Sequence, residues 1–153
     1  MEAPRMEDRG SLLVAGSVGH YTLPDTSGIP HQWDEFAKYL GRIPGQAGST
    51  SYGVCFNMDG SGKMDYMCGV AVTEDAVAPE GLTLLRIEPQ LYAVFSHRDH
   101  ISKIKDTWDA IFQEWCPSSG RKLTAAPQFE VYDERFDPKT GNGVVEIWIP
   151  IER

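Results

Sequence analysis

The sequence lacks several features that mark familiar functional classes. No apolar run approaches the roughly 18 residues that a membrane-spanning helix needs, and the N-terminus has no apolar segment of a secretion signal. Lys and Arg are scattered, and the net charge is −8. Because phosphate binding needs concentrated positive charge, this pattern argues against nucleic acid as a partner. We therefore expect a cytoplasmic protein that contacts neither membrane nor nucleic acid directly.

The sequence also lacks the motifs of common catalytic and cofactor sites. The cysteines Cys55, Cys68 and Cys116 form no Cys-x-x-Cys pair, so buried reduced thiols are expected. No glycine-rich phosphate loop or serine-nucleophile motif is present. His97 and His100 have a spacing that could hold a metal, but no second motif completes such a site. We therefore predict no cofactor, no metal and no catalytic residue, and an enzymatic role is the less favoured interpretation.

The chain contains enough apolar residues to form the core of one domain. It contains 153 residues, of which 41% are hydrophobic, and this length can bury a substantial core. Residues 1–10 show almost no apolar periodicity and are predicted to be a flexible tail. The remainder, 11–153, is predicted to be a single domain.

Two halves of that domain, about 11–72 and 82–151, resemble copies of one unit. An offset of 75 residues places Trp33 on Trp108, and an offset of 78 places Tyr52 on Glu130. The offset changes where glycine-rich loops differ in length, as expected for a duplicated unit that diverged by loop insertion.

Each half has the predicted order strand, helix, strand, strand. The predicted elements are 11–22, 29–43, 51–58 and 64–72 in the first half, and 82–97, 101–115, 129–135 and 143–151 in the second. Two βαββ units predict an α+β fold with a mostly antiparallel, curved sheet and both helices on one face.

Strand alternation indicates which carboxylate points toward the helices. In the last strand the apolar positions alternate with Glu146 and Trp148, which are therefore sent to the opposite face. The repeat places Glu130 on the helix side. A carboxylate among apolar groups must be partnered or have a raised pKa. Two interpretations remain open: Glu130 meets a bound organic cation, or it lies at a solvated strand edge or bonds Tyr66 or Tyr52.

The matched tryptophans suggest an aromatic slot at the seam of the two halves. Trp33 and Trp108 occupy equivalent helix positions, and Tyr52, Tyr66 and Phe112 are predicted nearby. More aromatic surface is present than a small core requires, which favours a ligand slot. The alternative is that both tryptophans belong to the core.

Several short segments, in order and spacing, match one known family. They are Ile29–Phe36, Tyr52-Gly53-Val54, Asp65-Tyr66-Met67, Tyr92–His97, Phe129-Glu130-Val131-Tyr132 and Val145–Ile151. Over about residues 11–152 the chain resembles the gyrase-inhibitor-like (GyrI-like) effector-binding family, especially members carried on integron gene cassettes. The same module occurs in multidrug-responsive regulators of the AraC and MerR types.

The resemblance implies a pocket for hydrophobic, often cationic, compounds between helices and sheet. In regulators of this family a buried glutamate on the penultimate strand meets the positive charge, and Glu130 matches that place, with Tyr52 and Tyr66 at aromatic pocket positions. The predicted ligand-binding residues are Glu130, Trp33, Tyr52, Tyr66, Ile104, Trp108 and Phe112.

The resemblance also leaves alternatives. Some relatives hydrolyse small electrophilic compounds with pocket carboxylate and aromatic residues, and others bind gyrase as a protein partner. Regulators of the family carry a helix-turn-helix domain before this module. This chain has no room for one, so direct transcriptional control is not expected.

Overall fold

The computed structural model describes residues 1–153. Its strands and α-helices are β1 (Arg5–Arg9), β2 (Leu12–Thr22), α1 (Ile29–Phe36), β3 (Gln46–Phe56), β4 (Lys63–Val72), β5 (Thr83–Ile87), β6 (Gln90–His97), α2 (Ile104–Ala110), α3 (Cys116–Ser119), β7 (Gln128–Tyr132), β8 (Phe136–Asp137), β9 (Asn142–Gly143) and β10 (Val145–Pro150). A 3₁₀ turn, Ala37–Tyr39, follows α1, and another, Ile101–Lys103, precedes α2. A π-helical turn, Ile111–Trp115, joins α2 to α3. None of the helices is both long and apolar enough to cross a membrane.

Eight strands form one antiparallel sheet in the order β1-β6-β10-β7-β3-β4-β2-β5. The two βαββ units meet where β3 pairs with β7, and from this junction each half repeats the same succession of strands. The short strands β5 and β1 flank β2 and β6 at the two outer edges. This arrangement confirms the predicted α+β fold, a duplicated βαββ unit with a curled sheet.

The helices pack on one face of the sheet, one over each half. Phe36 of α1 is fully buried in the cluster that contains Cys68 and Val70 of β4. Ile111, just after α2, is fully buried with Phe95 of β6 and Ile147 of β10. Each helix therefore covers the strands of its own unit, and the junction of β3 and β7 lies between them.

The other face of the sheet has an apolar core of its own. Its buried side chains include Tyr52, Tyr92, Phe129, Trp148 and Met67. No helix packs on this face, so the curvature of the sheet covers these side chains. Because β10 has both faces covered, all six of its residues are buried.

Several predicted boundaries are wrong: the first helical segment, predicted over 29–43, ends at Tyr39, and β3 begins at Gln46 rather than at 51. The predicted tail at 1–10 includes β1, which pairs with β6 along Arg5–Arg9. An edge strand can be charged throughout, so it shows no apolar alternation. The second helix was predicted to stop before Pro117, but helical structure continues through Ser119 and ends at Gly120, whose φ is 70°. Proline is tolerated there because it occupies the first turn of α3.

Candidate functional site

The site is built around Glu130, at the junction of the two halves. Glu130 lies in β7, where it pairs with Gly53 of β3 on one side and Ile147 of β10 on the other. Since the sheet continues on both sides, Glu130 is not at an edge, and the hydrogen bond from Trp108 of α2 shows that its carboxylate lies on the helix side. The residue is only 6% exposed.

Three neutral donors bind the Glu130 carboxylate. The hydroxyls of Tyr66 and Tyr132 donate to Oε1 at 2.8 and 2.7 Å. The indole Nε1 of Trp108 donates to Oε2 at 2.8 Å. The Tyr66 hydroxyl in turn accepts a hydrogen bond from Trp33 Nε1 at 3.1 Å. Both matched tryptophans therefore direct their N–H groups into one network, one from each helix.

Glu130 takes part in none of the ion pairs of the molecule, so neither a Lys nor an Arg compensates its charge. Burial raises the pKa of its carboxyl above the ordinary value, and the hydrogen bonds from Tyr132, Trp108 and Tyr66 oppose that rise without cancelling it. Burial and the nearby Glu130 carboxylate raise the pKa of both tyrosines well above 10.0. The tyrosines therefore remain protonated donors, and the carboxylate lacks a positive partner.

A glycine makes this arrangement sterically possible. Gly53 faces Glu130 across the β3–β7 pair. A Cβ atom at Gly53 would overlap the Tyr66 hydroxyl and lie 2.7 Å from Glu130 Oε1. Tyr66 can reach the carboxylate only because Gly53 has no side chain.

Aromatic rings form the wall between this network and solvent. The Trp33 ring centre lies 5.3 Å from that of Tyr132, in an edge arrangement. Trp108 stacks on Phe112 with centres 6.1 Å apart and planes within 5°. Trp33, Trp108 and Tyr132 are half-buried, and Phe112 is 37% exposed. The wall is apolar, partly accessible and backed by a carboxylate.

The structure brings four of the predicted residues together: Glu130, Trp33, Tyr66 and Trp108 form one hydrogen-bonded network. Phe112 joins this group through its stack on Trp108. Ile104 is half-buried against the cluster under α2 and has no part in the hydrogen bonding.

The prediction for Tyr52 is wrong, because its side chain lies on the opposite face of the sheet. Its ring packs 6.1 Å from that of Phe129, in the core that no helix covers. The repeat offset matched Tyr52 to Glu130, whereas the sheet pairs Gly53 with Glu130. A shift of one residue along a strand moves every side chain to the other face.

Sequence reasoning left two residues out of the site. Tyr132 donates the shortest of the three hydrogen bonds to Glu130. Its position two residues after Glu130 on the same strand, and therefore on the same face, was the available signal. Gly53 contributes by having no side chain, which no pattern of polar or aromatic residues could indicate.

Glu146 has a different environment on the face opposite the helices. Its Oε2 lies 2.9 Å from Arg5 Nη1 and 3.3 Å from Arg135 Nη2, and its Oε1 accepts from Trp148 Nε1 at 3.1 Å. Burial opposes ionisation, but the hydrogen bonds from Arg5 and Trp148 outweigh it and lower the pKa of Glu146. Strand alternation predicted this face for Glu146, and the repeat predicted the helix side for Glu130.

Two surface depressions of the molecule lie away from Glu130. One, of about 530 Å³, lies beside Met1, His97 and Asp106. The other, of about 340 Å³, lies beside His20 and Asp65. Neither includes a residue of the Glu130 network, and the carboxylate itself is enclosed by the side chains that donate to it.

His97 is not arranged to hold a metal. Its Nδ1 lies 2.6 Å from Thr107 Oγ1 and its Nε2 lies 2.9 Å from the carbonyl oxygen of His100. Both ring nitrogens of His97 are therefore engaged within the protein, and the His100 side chain caps the following helical turn by accepting from Ser102 N.

Solved structures with the same fold cover nearly the whole chain. The protein SAV2435, solved bound to tetraphenylphosphonium, is 20% identical with a TM-score of 0.80, over 99% of this chain and 94% of that one. An integron cassette protein from the mobile metagenome of Vibrio cholerae is 21% identical with a TM-score of 0.71, over 99% and 97%.

A curated relative gives a closer sequence match. The transcriptional regulator BrlR of Pseudomonas aeruginosa is 31% identical over 149 residues, which cover 96% of this chain and 54% of the regulator. The chain thus spans about half the length of that relative, and the expected lack of contact with nucleic acid remains a prediction. The model of the GyrI-like small molecule binding domain matches residues 2–152. The chain belongs to the GyrI-like family of small-molecule-binding domains.

Proposed function

We propose that this domain binds hydrophobic organic cations at the seam between α1 and α2, with Glu130 as the counter-charge. The observation that carries the proposal is a carboxylate that is 6% exposed and has three neutral donors but no cation. An ionised carboxylate is costly to bury without a positive partner. A bound cation supplies that partner, so part of the binding energy comes from relieving an unfavourable feature of the free protein.

The surrounding rings suit the rest of such a ligand. Trp33, Trp108 and Tyr132 present half-buried aromatic surface. A cation over an aromatic face gains about 0.5–2 kcal/mol, more as water is excluded. The net charge of −8 favours the approach of cations over anions by long-range attraction.

The comparisons support the same proposal. The family is one of small-molecule-binding domains. SAV2435, which shares the fold, was solved with tetraphenylphosphonium, a bulky lipophilic cation. Charge and aromatic surface are what such a ligand requires, and Glu130 with its neighbours provides both.

The test compares two ions of nearly equal size and shape but opposite charge. Calorimetric titration with tetraphenylphosphonium and tetraphenylborate should show binding of the phosphonium and much weaker binding of the borate. The Glu130→Gln variant should weaken phosphonium binding about ten- to a hundred-fold, the value of a charge-assisted contact. Glu146→Gln, equally buried on the other face, is the matched control and should bind as the parent does. Equal loss in both variants, or equal affinity for the two ions, would contradict the proposal.

The same samples separate binding from hydrolysis. Mass spectrometry of tetraphenylphosphonium and of a panel of small electrophiles recovered after incubation should return every compound unchanged. Conversion that depends on Glu130 would instead favour a hydrolase.

A further inference from the structure

We infer that Trp108 is the side chain a ligand displaces to reach Glu130, and that the preferred cation carries an N–H donor, as a protonated amine does. This inference rests on the proposed function and specifies the ligand class of the same site. The evidence is the uneven distribution of donors over the two carboxylate oxygens.

The two oxygens of Glu130 differ in how fully they are bonded. Oε1 accepts from both Tyr66 and Tyr132, whereas Oε2 accepts only from Trp108. A carboxylate oxygen has room for about two hydrogen bonds. Oε1 is therefore saturated, and a ligand can gain a new bond only at Oε2, on the side of Trp108.

The three donors also differ in how firmly they are held. Tyr66 is 2% exposed in β4, and its hydroxyl is fixed from behind by Trp33. Tyr132 lies on the strand of Glu130 itself and packs 5.1 Å from Phe136 as well as against Trp33. Displacing either would disturb the sheet or its packing.

Trp108 is attached much more loosely. It lies on α2 and is half-buried, and the bond to Oε2 is the only hydrogen bond of its indole. The ring stacks on Phe112, which is 37% exposed. The helix becomes π-helical at Ile111, directly after α2, and such turns depart from regular helical bonding. Rotation of Trp108 outward therefore breaks one hydrogen bond and opens the seam.

The lost bond determines which cation fits best. Once the indole leaves, Oε2 lacks its donor, and a buried acceptor without a partner is unfavourable. A cation with an N–H replaces that bond one for one and adds its charge. A quaternary cation adds charge but leaves the oxygen unbonded, and sites built to form a hydrogen bond discriminate against ligands that cannot form it.

The test uses acridine orange, protonated on its ring nitrogen at neutral pH, and its derivative methylated at that nitrogen. The two cations share charge and ring system, but only the first has an N–H. We expect the parent protein to bind the protonated dye about ten-fold more tightly. Glu130→Gln should abolish this preference. Trp108→Phe, which removes the competing indole N–H, should raise the affinity for the protonated dye, whereas the matched variant Trp33→Phe should not.

The outcomes separate this inference from the proposed function. Equal affinity for the two dyes, with binding that still depends on Glu130, overturns the inference and leaves the proposed function standing. So does a gain in affinity in Trp33→Phe instead of Trp108→Phe. If neither dye nor tetraphenylphosphonium binds, the proposed function fails, and this inference fails with it.

Discussion

Glu130 and Glu146 lie on neighbouring strands and are equally buried, each 6% exposed, yet their partners differ in kind. Glu146 meets two guanidinium groups, from Arg5 and Arg135, and its pKa is lowered. Glu130 meets two phenols and an indole, and burial raises its pKa. The two residues expose the same fraction of their surface. Their partners differ, because two guanidinium groups contact Glu146 and none contacts Glu130.

On the proposed function, this difference separates a structural carboxylate from a ligand-binding one. The ion pairs of Glu146 are complete within the chain and connect β1 to β10, so this residue serves the fold. Glu130 is bonded well enough to be held in one position but lacks charge compensation. Removing one partner of a buried ion pair is strongly unfavourable. Glu130 has no such partner in the free protein, and in the proposed function a bound cation supplies it.

The largest effect is expected from Gly53→Ala, which should break the Glu130 network without touching Glu146. The added Cβ overlaps the Tyr66 hydroxyl, so Tyr66 must move away from Glu130. Overpacking of this kind costs about 1–3 kcal/mol. Urea unfolding should show this loss together with weaker cation binding. Gly10→Ala, where nothing lies within 4 Å of the added atom, is the control and should match the parent.

Glu146→Gln should lose a similar amount of stability but no ligand binding, so its overall effect is smaller. The variant removes a charge that two arginines contact, which costs about 1–3 kcal/mol when the carboxylate is buried. Chemical denaturation measures the loss. Glu7→Gln removes an exposed partner of the same Arg5 and should cost at most about 1 kcal/mol. A drop in cation affinity in Glu146→Gln would mean that the two faces are not functionally separate.

The smallest effect concerns how stability depends on pH, where the two glutamates should have opposite signs. The raised pKa of Glu130 favours the folded state most below the ordinary value of 4.5, and this contribution is lost as pH rises through the folded pKa. The lowered pKa of Glu146 contributes stability above 4.5 that is lost as pH falls through its folded pKa. A tenfold difference in the acid dissociation constant between the folded and unfolded states corresponds to about 1.4 kcal/mol.

Unfolding free energies of the parent and the two Gln variants, measured across a pH series, test this. The parent should lose stability relative to Glu130→Gln as pH rises, and gain it relative to Glu146→Gln. If the stability difference between the parent and each variant changed with pH in the same direction, the two carboxyls would not have opposite pKa shifts.

More of the fold than of the candidate site could be predicted from the sequence. Alternation along β10 assigned Glu146 to the correct face, and the repeat correctly matched Trp33 with Trp108. Because the glycine-rich loops differ in length, the repeat leaves the strand register uncertain by one residue. A shift of one residue moves a side chain to the other face of a strand, so Tyr52 was assigned to the wrong face. The charged strand β1 has no apolar pattern. The hydrogen bond from Trp108 to Glu130 joins a helix to a strand across the core, and spacing along the chain contains no information on such a contact.

The ionisation of Glu130 itself, with and without a bound cation, tests the central claim most directly. Carbon-13 NMR titration of glutamate side-chain carboxyls, assigned with the two Gln variants, follows both residues in one sample. In the free protein the pKa of Glu130 should lie above 4.5 and that of Glu146 below it. Saturation with protonated acridine orange, over the pH range in which the dye keeps its charge, should lower the pKa of Glu130 and leave Glu146 unchanged. A Glu130 pKa that does not respond to a bound cation would contradict its role as the counter-charge.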